Sequence, residues 1–387
     1  MKSKFNQIIN RKNTNSAKWD RLSWAFGTEN ITPMSIADMD FKASGPILNA
    51  INSITRHGIF GYSYYPDTLK KAITQWFNKK HGVKLSEADM VFAPCVLASI
   101  SFLLDIFTKP GDKVLIQTPV YPPFFNIVKE NNRVLIENPL INRNGHYAMD
   151  FEDFSKKATG VKIFILCNPH NPVGRVWTKK ELEQIGRICV KKRILIVSDD
   201  IHCDIIYKGS GYVPIAGIAE SIAQNCVTLY SPNKTFGTAG LACACAVTKN
   251  EEIKKRFRAY IMAKKLESAN RISTSAWEAG CNKSRDWHTQ LIKHLENNMT
   301  YLESFIKDRL PLIKFVKPEG TFLAWLDCRQ MNMTEKQLKD FFYKKAGAGL
   351  SPGSIFGVEG EGFMRMNIAC PLTVLKKVLY SIERSFS

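Results

Sequence analysis

Short apolar runs and amphipathic stretches alternate along the chain from about Ser44 to Trp277. That rhythm predicts a parallel sheet covered by helices on both faces. The clearest unit lies in the middle. Lys162-Ile163-Phe164-Ile165-Leu166-Cys167 reads as a buried strand, and the breaker-rich run 168–174 reads as a loop. Thr178-Lys179-Lys180-Glu181 has the spacing of a capping box and predicts a helix running to about Lys192, followed by a strand over Ile194-Leu195-Ile196-Val197-Ser198. Beyond Trp277 the pattern turns into a long helical region. After it, Ile313-Lys314-Phe315-Val316 and Gly320-Thr321-Phe322-Leu323-Ala324-Trp325-Leu326 read as strands of a smaller unit that the N-terminal segment joins. At 387 residues the chain exceeds what one core usually serves. The expected division is 1–45 with the small domain, 46–285 as the large domain and 286–387 as the C-terminal small domain.

Composition narrows the class. Hydrophobic residues make up 45% and charged residues 23%, which argues for a globular protein and against a disordered one. The first residues lack the apolar core of a secretory signal and no stretch reaches the length of a membrane span, so a soluble, cytoplasmic protein is expected. Ten cysteines occur without C-x-x-C spacing, several inside apolar runs, which points to free thiols and no zinc site. The net charge of +19 raises the question of nucleic acid, but the basic residues are mixed with acids, as in the run 251–258, and no DNA-binding motif accompanies them. No nucleic-acid and no membrane partner is expected.

In parallel sheets of this kind, ligands gather beyond the carboxyl ends of the strands. Three predicted strand ends carry polar groups there: Asn168 and Asn171, Asp199 and Asp200, and Ser231 and Lys234. Lys234 sits in Ser231-Pro232-Asn233-Lys234, a spacing suited to an aldehyde cofactor, with a lysine to form an imine and a serine near an anion. If the cofactor is pyridoxal phosphate, the chain offers a candidate for each of its needs. Lys234 would hold the aldehyde and later move protons, and Asp199 would keep the pyridine nitrogen protonated. Asn171 would donate to the phenolic oxygen. Ser231 and the first amides of the helix after Pro94, at Val96 and Leu97 beside Cys95, would take the phosphate. Tyr121 would stack on the ring, and Arg365 would clamp an amino-acid carboxylate through two parallel hydrogen bonds. Taken singly, Asp199 also reads as a helix cap, Tyr121 as a turn aromatic, Arg365 as a surface ion-pair partner and His202 as a structural histidine. Their joint occurrence at strand ends favours the site.

Several segments resemble the fold type I pyridoxal-phosphate enzymes of the aminotransferase class I/II superfamily: Phe60-Gly61-Tyr62-Ser63, Asn168-Pro169-His170-Asn171-Pro172-Val173-Gly174, and the Lys234 segment ending at Leu241. Ala37-Asp38-Met39-Asp40-Phe41, Asp199-Asp200-Ile201-His202 and Ala324-Trp325-Leu326-Asp327 resemble the MalY/PatB-type cystathionine β-lyases within it. The resemblance implies a large domain with a mainly parallel seven-stranded sheet flanked by helices, plus a smaller α+β domain. It places Ile201 on the ring face opposite Tyr121 and His202 near the phenolic oxygen. It sends Tyr62 to the phosphate of a neighbouring subunit, and so implies a homodimer with shared active sites. It implies β-elimination of cystathionine, cysteine or related S-conjugates to pyruvate, ammonia and a thiol, in methionine biosynthesis. An aminotransferase and a protein that binds a transcription factor stand as alternatives. Asp200, Cys95 and Gly237 depart from the usual glutamate, glycine and asparagine.

Overall fold

The computed structural model describes residues 4–386. Its centre is a seven-stranded sheet built from β1 (Met90–Ala93), β2 (Lys113–Thr118), β3 (Val134–Pro139), β4 (Val161–Cys167), β5 (Leu195–Asp199), β6 (Cys226–Tyr230) and β7 (Ala244–Val247). The spatial order is β1-β7-β6-β5-β4-β2-β3. Neighbours from β3 through β6 run parallel, and β7 alone runs against both of its neighbours. The three middle strands β4, β5 and β6 are apolar on both faces because helices cover both sides, as the alternating sequence predicts. One face packs Ile163, Ile165, Val197 and Leu229 beneath a helix, α3, over Val96–Phe107. The other packs Phe164, Leu166 and Ile196 beneath α4 (Lys179–Lys192).

Helix α4 begins where its sequence says it should. Thr178 Oγ1 accepts the Glu181 amide, and the Glu181 carboxylate accepts the Thr178 amide in return. Two of the helices that precede α3 in the chain are α1 (Gly45–His57) and α2 (Asp67–His81). Both pack on α5 (Arg271–Lys283). The long α6 (Arg285–Arg309) leads into a second, antiparallel sheet made of β8 (Lys314–Phe315), β9 (Leu323–Asp327), β10 (Ser351–Pro352) and β11 (Phe363–Asn367), in the order β8-β9-β11-β10. The apolar faces of β9, β11, α6 and α7 (Leu372–Arg384) form a separate core that also takes in Phe5, Met34 and Met39.

Two strands of this sheet differ from the sequence expectation. β8 is two residues rather than four, and β9 begins at Leu323, not Gly320. Thr321 adopts φ 69° and Gly320 makes a lone bridge to Ile206, so the chain turns before it can join the ladder. Gly174 closes the joint between this turn and the large sheet. Its carbonyl accepts the amides of Glu319 and Gly320, its φ is 72°, and a Cβ there would lie 2.2 Å from the Pro318 side chain.

Candidate active site

β4, β5 and β6 end side by side, and the residues just past them converge on one cavity of about 170 Å³. It is lined by Cys167, Asn171, Asp199, Ile201, His202, Asn233 and Lys234, and closed from other elements by Ala37, Cys95, Val96, Leu97 and Tyr121. A parallel sheet delivers this arrangement because every strand releases its chain at the same edge. The helix α3 points its N-terminus into the cavity. Cys95 caps it, its sulfur accepting the Ala98 amide at 3.4 Å, and the amides of Val96 and Leu97 carry no hydrogen bond.

Burial sets the chemistry of the charged groups. Desolvation pulls the Lys234 amine down to about 8, with Asp38 opposing and Arg365 assisting. Its Nζ donates to the Ala37 carbonyl. Asp199 is pushed up to about 6 by burial, against the bond its Oδ1 accepts from the Ile201 amide at 3.1 Å and the attraction of Lys234. Arg365, on β11, reaches across from the second sheet. Its Nη1 donates to Asn171 Oδ1 at 3.1 Å and its Nη2 to the Ser35 carbonyl and, at 3.3 Å, to Ser351 Oγ. It lies over the Phe356 ring. Its buried Nε has no partner, no carboxylate pairs with it among the described residues, and burial lowers it to about 10.

Tyr121 lines the same cavity, and burial foremost raises its phenol. His202 is buried edge-on to Phe322 with Nδ1 unpartnered, and desolvation holds it well below the ordinary imidazole range, so it is neutral. Ser231 does not line the cavity. Its hydroxyl donates to the Cys243 carbonyl at 2.8 Å and accepts the Asn233 amide, so its single proton is committed to the chain. Tyr62 lies apart from the cavity and is fully exposed, in a run where Ile59, Phe60 and Tyr64 are exposed as well. Asp200 turns away from the cavity. It accepts the hydroxyls of Ser198 and Tyr212, and burial pushes it up to about 7.

Sequence reasoning missed the contribution of the chain 35–38. The carbonyls of Ser35 and Ala37 receive Arg365 and Lys234, and Asn367 Nδ2 holds those of Ile36 and Asp38 at 2.6 and 2.7 Å. The motif Ala37-Asp38-Met39-Asp40-Phe41 was the available signal, although backbone acceptors leave no residue-type signature.

A model of the aminotransferase class I and II family matches residues 29–382. The chain belongs to that family. Within it, the chain is 37% identical to cystathionine beta-lyase PatB of Bacillus subtilis over 385 residues, covering 99% of this chain and 100% of the relative. It is 30% identical to protein MalY of Escherichia coli, with 96% of each covered. Among solved structures, cystalysin from Treponema denticola, which contains pyridoxal 5'-phosphate, superposes with a TM-score of 0.96 at 32% identity, with 100% of this chain and 99% of that chain covered. The fold is that of the fold type I pyridoxal-phosphate enzymes, with the seven-stranded sheet at its centre.

Proposed function

We propose that the protein is a pyridoxal-phosphate-dependent carbon–sulfur β-lyase that cleaves L-cystathionine, and cysteine or related S-conjugates, to pyruvate, ammonia and a thiol. One observation carries the reading: Lys234, Asp199 and Arg365 are all pushed toward neutrality by burial at one site, and each lacks the partner that would restore its charge. An aldehyde answers the amine, a pyridine nitrogen answers the carboxyl, and a substrate carboxylate answers the guanidinium. The cofactor and an amino acid supply all three.

The residues fit the cofactor in detail. Asn171 Nδ2 is uncommitted and available to a phenolic oxygen, Tyr121 and Ile201 offer two ring faces, and neutral His202 stands beside them. The free amides of Val96 and Leu97 suit the phosphate. Ser231 would have to rotate its proton away from Cys243 to join them. When bound, pyridoxal phosphate supplies an electron sink for the electrons left by a broken Cα–H bond. Asp199 keeps a proton on the pyridine nitrogen, Arg365 fixes the amino acid by its carboxylate, and Lys234 takes the proton from Cα. Expulsion of the thiol from Cβ follows.

Support for elimination over transamination comes from the curated relatives, since PatB, at 37% identity, is a cystathionine beta-lyase and the aminotransferases among them are 26% and 24% identical; against it stands one solved structure at 38% identity, that of a putative aminotransferase from Clostridium difficile. The exposed Ile59, Phe60, Tyr62 and Tyr64 support a homodimer in which Tyr62 completes the phosphate site of the other subunit. Ten unpaired cysteines support a cytoplasmic setting, and release of homocysteine would supply methionine synthesis. The test is to incubate purified, cofactor-loaded protein with L-cystathionine and no 2-oxo acid. Equal amounts of pyruvate and thiol are expected. Strict dependence on a 2-oxo acid acceptor would overturn the reading in favour of an aminotransferase.

A further inference from the structure

The chain 35–40 runs beside the cavity as a strap, with Ala37 in its wall, and the edge it turns to Lys234 and Arg365 is backbone. Ser35 and Ala37 present carbonyls to Arg365 and Lys234, and Asn367 grips the alternate carbonyls of Ile36 and Asp38. The outer edge is held differently. Asp38 and Asp40 are held by a cluster of donors from the N-terminal segment, with Asp38 still near enough to act on the Lys234 amine. Arg11 bridges both carboxylates, with Nη2 at 2.8 Å from Asp38 Oδ2 and Nη1 at 2.7 Å from Asp40 Oδ1. Lys18 is buried and places its Nζ 2.7 Å from Asp40 Oδ2 and 3.4 Å from Asp38 Oδ1. Trp19 Nε1 donates to Asp40 Oδ1 at 3.0 Å, and the Asp40 amide donates to the Ala369 carbonyl at 2.9 Å. Two acids facing two bases leave the cluster neutral, and the bidentate arginine fixes direction as well as charge.

We propose that Arg11, Lys18 and Trp19 form a positioning knot for the substrate-carboxylate site, fixing the strap so that Arg365 is held in its binding geometry before an amino acid arrives. The inference rests on the lyase reading for the identity of the substrate, while the strap and its anchors stand on the structure. A guanidinium with one terminal nitrogen on a fixed carbonyl and the other on Asn171 has little rotational freedom left to lose on binding. Loosening the knot frees the Ser35 carbonyl, and the arginine then pays that ordering when substrate binds. Lys234 is carried by a different element, the turn after β6, and the bond its amine makes to the Ala37 carbonyl of the strap is one it gives up on taking the cofactor aldehyde, so proton transfer depends less on the strap than Arg365 does. The knot therefore acts on binding more than on turnover.

Arg11→Gln is the test, since Arg11 is partly exposed and outside the cavity. For L-cystathionine, KM is expected to rise about five- to thirtyfold while kcat stays within about twofold, the signature of lost substrate binding with chemistry intact. Arg11→Lys keeps the charge but reaches one carboxylate, and its KM should fall between the two. Trp19→Phe removes a single donor and should raise KM about twofold to threefold, which decides the matter should Arg11→Gln fold poorly. Lys12→Gln, exposed beside the knot, is the control and should change neither constant. In hydrogen exchange on the same proteins, the amides of Asp38 and Asp40 are expected to exchange at least about tenfold faster in Arg11→Gln. Unchanged KM with unchanged exchange overturns the proposal, as does a fall in kcat at constant KM or an Arg11→Lys variant no better than Arg11→Gln. If the unsubstituted protein releases no thiol, the lyase reading fails, and the exchange measurement still decides whether the knot holds the strap.

Discussion

Lys234 ends in an amine drawn down to about 8, so its neutral, nucleophilic form appears more than two pH units earlier than on an exposed lysine. Cofactor capture by the cofactor-free protein should therefore speed up as pH rises from 6 to 9, with a midpoint near 8, when followed by stopped-flow absorbance. Lys234→Ala should abolish that absorbance change and lower product formation by at least about a thousandfold. Arg365→Lys keeps the charge but loses the fork, which should cost about 2 kcal/mol of transition-state binding, or about thirtyfold in kcat/KM. At this scale the sequence was most readable where function needs a distinctive side chain at a strand end. Lys234, Asp199 and Asn171 stand at one cavity for that reason, and Arg365 joins them from a strand more than a hundred positions away. Ser231 shows the limit. Its position could be read, but the carbonyl that takes its proton is set by the turn to β7, and only the fold brings that carbonyl near.

Elements hold the site through a few buried polar joints. Asp204 gathers three donors: Trp76 Nε1 and His81 Nε2 from α2 at 3.0 and 2.8 Å, and Thr235 Oγ1, next to the lysine, at 2.7 Å. Asp204→Ala strands all three in the interior and should destabilise the protein by about 3 kcal/mol in chemical denaturation. Thr178→Ala removes one reciprocal bond at the start of α4 and should cost about 1 kcal/mol by the same measurement. Asp200 works in the opposite sense, because burial raises it to about 7 from an ordinary 3.8. The folded state then binds a proton that the unfolded state gives up, so Asp200 contributes its stability below about pH 4 and loses it as pH rises through 7. Melting temperatures of the cofactor-free protein at pH 5 and 8 should differ less in Asp200→Asn than in the parent. The strand at 195–199 was legible because its β-branched run has one good use, and α4 because its capping box is local. The start of β9 was not, because Thr321 takes a left-handed conformation that its residue type does not advertise.

For the whole molecule, the proposed shared-site homodimer makes a quantitative prediction. Lys234→Ala and Tyr62→Ala should each be inactive or severely impaired alone. Mixed and allowed to exchange subunits, they should regain up to about a quarter of parental activity, because half the dimers are mixed and one site in each is intact. No recovery, with exchange verified by mass, would show that each subunit works alone. The alternating pattern was enough to call a helix-covered parallel sheet, since both faces of β4, β5 and β6 had to be apolar. Which strand runs backwards was not legible: β7 is as apolar as its neighbours, and direction leaves no mark on composition. One further consequence lies in Cys95. Eight of the ten thiols are buried, whereas Cys95 is partly accessible at the cavity wall, capping α3 beside the free amides of Val96 and Leu97. The chain thus carries its own occupancy gauge: slower alkylation of that one thiol, read by peptide mass, would count filled sites in a preparation that turns nothing over.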